Sequence, residues 1–200
     1  TADGFETYGV TGVSLIAFFI GLLYLLRLAR QEIGDEAASV AAVTFMAAYP
    51  FAVFFSAAYT EGLFFLSIVA AVYHFRNHRL WTAALWGLVA GLTRPNGCFL
   101  SVVLGLMVIT TRKPGWLPRL LAASAPGVGM LLFSAYIYTL TGNPFQWAAQ
   151  NVAWGRVYRS LDNVVADRIG FISTYGLYGY ASTQTLDFLY LLAVLFALGA

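Results

Sequence analysis

The sequence predicts an all-α fold: a polytopic transmembrane helical bundle with short broken hairpins and an outer interfacial amphipathic helix. Two observations carry this. Hydrophobic residues make up 60% of the chain and charged residues only 10%, against roughly a quarter charged in soluble domains. A soluble fold of this size has too little interior to hide that much apolar surface. The apolar residues are also gathered into runs near the length that crosses a bilayer, about 20 residues for about 30 Å of hydrocarbon. A net charge of +2 offers no basic face for nucleic acid, so the cations matter through where they sit.

The runs lie near residues 8–26, 37–57, 61–75, 80–93, 97–111, 119–140 and 186–200, with a more polar outer segment at 141–185, all within one transmembrane domain. The first is preceded by Asp3 and Glu6 rather than by basic residues and is too long for a signal-peptide core, so it reads as a spanning helix. A polar loop with Arg27, Arg30, Glu32, Asp35 and Glu36 follows. The apolar region 37–73 is too long for one span and suits two, and its polar interruption at Tyr59, Thr60 and Glu61 marks a tight hairpin. His74, Arg76, His78 and Arg79 close the second arm.

Region 80–111 is broken by Thr93-Arg94-Pro95-Asn96-Gly97, where proline followed by asparagine and glycine signals a turn. Its two arms are each too short to span, and they are expected to pack on each other. After Arg112, Lys113 and Arg119 comes the run at 120–140, in which Pro126 and Gly127 predict a kink. The chain begins with Thr1 and stops inside the apolar run that starts near Phe188, as expected of the interior part of a longer protein. Cys98 is the single cysteine, which excludes disulfides within the chain and thiolate metal clusters.

Orientation follows from the basic residues. Arg27, Arg30, Arg76, Arg79, Arg112, Lys113 and Arg119 make up seven of the 11 Lys and Arg, and the loops that hold them are expected to be cytoplasmic. The turns at Glu61 and Arg94 and the segment 141–185 then face the other side. In that segment Asn143-Pro144 reads as a helix cap with a first-turn proline. Trp147, Trp154, Tyr158 and Leu161 recur on one face, as in an interfacial amphipathic helix. Residues 162–185 mix Tyr175, Tyr178 and Tyr180 with glycines and read as a loop over the membrane.

Few residues are suited to chemistry. An ionised side chain among apolar arms costs roughly 2.5–3.5 kcal/mol at a helix centre, so Glu61 is either a wet hairpin tip or a functional acid that binds a sugar hydroxyl or positions Arg94. Arg94, fixed by the proline behind it, has the paired donors that hold a phosphate; the other reading is a guanidinium snorkelling to the surface. Asn96 shares its turn. Gln150, Trp154 and Arg156 present amide, indole and guanidinium groups to a sugar and its phosphate, although interface anchoring explains Trp147 and Trp154 equally well. His74 and His78 have a chelating spacing, but Arg76 and Arg79 beside them favour a helix-end charge cluster over a metal. Ala83, Gly87 and Gly91 recur every fourth residue and predict close helix packing. Glycine-rich phosphate loops, nucleophile elbows and paired carboxylates are absent from the sequence.

Several of these stretches together resemble the PIG-V-like mannosyltransferases, integral-membrane glycosyltransferases of the GT-C class related to the second mannosyltransferase of GPI-anchor assembly. They are RLARQEIGD from Arg27, YPFAVFFSAAYTEGLFF from Tyr49, GLTRPNG from Gly91 and TGNPFQWAAQNVAWGR from Thr141. The resemblance implies transfer of a sugar, usually mannose, from a polyprenyl-phosphate donor to a lipid-linked or surface glycan or glycolipid acceptor on the non-cytoplasmic side. No cofactor or metal is implied beyond that donor. It implies a multi-pass location, the plasma membrane of a prokaryote or the endoplasmic reticulum of a eukaryote, and it gathers Glu61, Arg94, Asn96, Gln150, Trp154 and Arg156 around one outer cavity. In the family the catalytic base is an acid in the first outer loop. Asp3 and Glu6 stand in no matching motif, so the base is expected upstream and this stretch alone is not expected to carry the whole reaction. A secondary transporter or lipid flippase is the competing reading, because broken helices with buried polar groups also mark transport sites. A non-catalytic membrane scaffold is a third.

Overall fold

In a computed structural model the chain is described over residues 2–57, 59–111, 115–150, 160–184 and 188. Every regular element among those residues is helical. The chain divides into two compact units, Thr1–Trp147 and Ala148–Ala200.

The first unit opens with α1 (Ala2–Ile33). Gly34 ends it in the left-handed region at φ 75°, the conformation that closes helices at glycine. The next helix is capped at once, because Asp35 Oδ1 accepts from Ala38 N at 2.7 Å and satisfies an orphan donor of α2 (Glu36–Ala48). Arg30 of α1 pairs with Glu36 across this turn. A 3-10 segment, Pro50–Ser56, leads to α3 (Glu61–Arg76), which starts at the polar interruption in the sequence. His78, at φ 59°, reverses the chain into α4 (Leu80–Thr93). The 3-10 turn Pro95–Cys98 and α5 (Phe99–Thr111) follow, and then α6 (Trp116–Thr141).

Small residues set how these helices meet. A Cβ on Gly91 would lie 2.0 Å from the Pro126 carbonyl oxygen, and one on Gly129 would lie 2.3 Å from the Leu88 oxygen. The α4–α6 seam is therefore a backbone-to-backbone contact that only glycine permits, as the spacing of Ala83, Gly87 and Gly91 predicts. Pro126 lies buried in this seam inside a continuous α6. The next amide, Gly127 N, donates to the Ser101 hydroxyl of α5 at 2.9 Å, which ties α6 to α5 beside the proline. Ala71, Phe75, Ala83, Ala90, Leu100, Leu104, Val108, Ala122 and Ala123 form the core between α3, α4, α5 and α6. Ala17, Leu66 and Ala70 join α1 to α3.

Two expectations are corrected. The arms flanking the Arg94 turn do not chiefly pack on each other; α4 lies along α3 and α6, and α5 lies along α6. The cause is the glycine seam, which lets α6 approach α4 more closely than a leucine-bearing arm can. Residues 162–185 are not a loop, since α8 (Leu161–Thr183) spans nearly all of them in the second unit. Of its glycines only Gly176 leaves helical geometry, at φ 71° and ψ 170°, so the others are carried within a helix. The Ser160 hydroxyl, followed by backbone amides, holds the Asp162 carboxyl below the usual carboxylate range at the start of this helix.

Of the amphipathic helix expected after Asn143, only α7 (Gln146–Ala149) is described, and residues 151–159 and the run at 186–200 lie outside the described residues apart from Phe188. Asn143 does act at that turn, its Oδ1 accepting from Phe145 N at 3.0 Å. Trp147 donates from Nε1 to the buried Ser134 hydroxyl at 3.1 Å, which ties the end of the first unit to α6.

Among the described residues two helices, Gly9–Ile33 within α1 and Trp116–Thr141, are long and apolar enough to cross a membrane, and only 17% of the first one's apolar window is buried. Val13, Ile16 and Phe19 on α1, Val102 and Ile109 on α5 and Leu121 on α6 are exposed. Contiguous apolar surface of this kind is tolerated against lipid and not against water. Helices α2, α4 and α5, at 13 to 14 residues each, are about 20 Å long and fall short of the hydrocarbon core.

Candidate functional site

Glu61 is the first residue of α3, where the positive end of the helix dipole favours a carboxylate. Arg94 follows the last residue of α4 in an extended conformation, φ −147° and ψ 132°, because the residue before a proline is pushed out of the helical region. The turn behind it is rigid. Arg94 N donates to Ala90 O at 3.1 Å, and Gly97 N donates to Arg94 O at 2.8 Å. A Cβ on Gly97 would sit 2.4 Å from the Ala90 oxygen, so the tight return of the chain requires glycine there.

These two elements bring the two isolated charges together. Arg94 Nη2 lies 2.9 Å from Glu61 Oε1, and the guanidinium carbon is 5.9 Å from the centre of the Phe64 ring, one turn along α3. The environment is asymmetric: the Glu61 side chain is 20% exposed and that of Arg94 44%. Glu61 Oε2 is buried without a hydrogen-bond partner. A half-satisfied buried carboxylate is costly, and the guanidinium offsets that cost through one oxygen only. Arg94 has five N–H donors in a planar fork and spends one on Glu61, so the exposed remainder of the fork is available to an anion. Asn96 is exposed at the tip of the same turn.

The other sequence candidates lie elsewhere in the chain. Gln150 is exposed and belongs to the second unit, whereas Trp154 and Arg156 lie outside the described residues. His74 and His78 part company: His74 is buried with Nε2 3.2 Å from the Tyr24 hydroxyl, and His78 is exposed in the turn.

Sequence reasoning passed over Arg119. It counts there as one more cytoplasmic cation, but it is a buried residue of α6, its guanidinium carbon 5.3 Å from the centre of the Phe75 ring. The available signal was its position, since α6 begins at Trp116 and places Arg119 inside a helix packed against α5 and α4.

The fold thus defines a helical membrane protein with a fixed, half-buried acid–arginine pair at the joint of two short helices. The Mannosyltransferase (PIG-V) family model matches residues 7–113, more than half of the chain, and the protein belongs to that family of mannosyl-transferring enzymes. The matched stretch runs from α1 through α5 and contains Glu61, Arg94 and Asn96; it ends before Gln150, Trp154 and Arg156. No curated protein and no solved structure matches the chain.

Proposed function

We propose that this chain is part of a multi-pass glycosyltransferase of the GT-C type, which transfers mannose from a polyprenyl-phosphate donor to a lipid-linked or surface acceptor on the non-cytoplasmic side. The observation that carries this reading is the Glu61–Arg94 pair. A guanidinium pinned on one edge by Glu61 Oε1 at 2.9 Å, with the rest of its fork exposed, is oriented before substrate arrives.

When the glycosidic bond of such a donor breaks, negative charge builds on the departing lipid phosphate. Pre-oriented donors stabilise that charge in the transition state without reorganising, and one such donor is typically worth a factor of about 10²–10³. Arg94 takes this role and Asn96 adds an amide at the same turn. Glu61 is a positioning residue: its Oε1 is engaged by the guanidinium and its Oε2 is buried away from an acceptor, so the proton of the acceptor hydroxyl goes to a different carboxylate. The exposed apolar faces of α1, α5 and α6 support the membrane location, and the basic loops support placing the Arg94 turn on the outer side.

The test is transfer of labelled mannose in membranes that hold the complete protein, with polyprenyl-phosphate mannose and a nucleotide-linked mannose offered separately. Transfer from the polyprenyl-phosphate donor alone is expected. Transfer from the nucleotide donor alone would overturn the reading.

A further inference from the structure

The opposite end of the first unit carries a cavity. Helix α3 runs 16 residues from Glu61 to Arg76, about 24 Å at the helical rise, so this cavity is separate from the Glu61–Arg94 pair. It has a volume of about 260 Å³ and is lined by Gln31, Glu32, Arg76, His78, Thr111 and Arg119. These residues come from the ends of α1, α3 and α5, the turn after α3 and the first turns of α6. A water occupies about 30 Å³ of liquid, so the space holds a phosphate group with several waters.

Most polar groups in this lining are already committed. Arg76 Nε donates to Glu32 Oε1 at 2.6 Å and its Nη2 engages Oε2, a bidentate pair. Gln31 exchanges hydrogen bonds with Asn77 at 2.9 and 3.1 Å, and the Thr111 hydroxyl donates to Met107 O at 2.6 Å. Arg119 differs from all of these. It is 7% exposed, its Nε is buried without a hydrogen-bond partner, and it has no acidic partner among the described residues. Its guanidinium carbon lies 5.3 Å from the centre of the Phe75 ring. An uncompensated buried guanidinium is costly and invites an anion, and its fork matches the geometry of phosphate. The amino-terminal end of α6, 26 residues long, adds dipole of the same sign.

We propose that this cavity binds a phosphate group, with Arg119 as its anchor and the Glu32–Arg76 pair as its wall. The shared chemistry is a phosphate ester or free phosphate. Because the basic loops place this end at the cytoplasmic surface, the headgroup of an anionic phospholipid and a soluble phosphate both reach it. The proposal is independent of the transferase reading.

The experiment measures the thermal stability of the complete protein in phosphatidylcholine nanodiscs. Inorganic phosphate is titrated against chloride at equal ionic strength in one arm, and in the other arm part of the phosphatidylcholine is replaced by phosphatidylglycerol. A rise in Tm in the first arm identifies a soluble phosphate, and a rise in the second alone identifies a lipid headgroup. Arg119→Gln is expected to weaken the response about tenfold in apparent affinity, as for loss of a charge-assisted contact. Glu32→Gln removes a competing carboxylate and leaves Arg76 free, so it is expected to strengthen the response several-fold. This opposite sign keeps the test decisive even where Arg119→Gln does not fold. No response in the unmodified protein to either source would overturn the site, as would an unchanged response in Glu32→Gln.

Discussion

At one end of the first unit Glu61 and Arg94 meet as a single pair with little else polar around them. At the other, Glu32 and Arg76 pair among Gln31, Asn77 and the Arg30–Glu36 bridge. The side chains of Arg76 and Glu32 are 41% and 40% exposed, so solvent screens both partners and either one can be lost at small cost. The Glu61 side chain is 20% exposed with one oxygen orphaned, and among the described residues Arg94 is the cation that answers its charge. The two ion pairs thus differ in their setting: one is solvated at a helix end, and the other holds a guanidinium in place in an apolar setting.

Breaking each pair in the complete protein sharpens the contrast. Arg94→Ala is expected to lower mannosyl transfer by about 10²-fold, the scale for one transition-state donor, with protein level in the membrane measured alongside. Transfer equal to that of the unmodified enzyme would remove Arg94 from the site. Arg76→Gln is expected to leave transfer unchanged and to cost below about 1 kcal/mol in stability, as exposed pairs do. A larger loss on denaturant unfolding would show that the solvated pair is structural after all.

Much of this was legible from residue order because lipid imposes simple rules. A carboxylate and a guanidinium each flanked by apolar arms stand out in a sequence that is 10% charged, and Glu61 and Arg94 were singled out on that ground. The Thr93–Gly97 turn and the seam of Ala83, Gly87 and Gly91 follow from proline restriction and small-residue spacing. That Arg94 takes Glu61 as its partner needs the three-dimensional approach of α3 to the α4 turn, which no local pattern encodes.

Arg119 was hidden for the opposite reason. Cations at loop edges are ordinarily solvated, and only the packing of α6 on its neighbours reveals that this one is buried. Helix α8 was missed because glycines and tyrosines read as loop signals, whereas all its glycines but Gly176 keep helical geometry. The relation of the second unit's Gln150 to the pair was an inference from resemblance, and the described geometry does not bear on it.

Glu61 is expected to act on transfer only through Arg94, and a double-mutant cycle on the complete protein tests this most directly. Transfer rates are compared for Glu61→Gln, Arg94→Gln and the double variant, each normalised to the amount of protein in the membrane. Residues that work as a unit lose function non-additively. The expected result is a double variant no slower than Arg94→Gln alone. A double variant slower by the full product of the two single losses would contradict the claim and give Glu61 a role of its own.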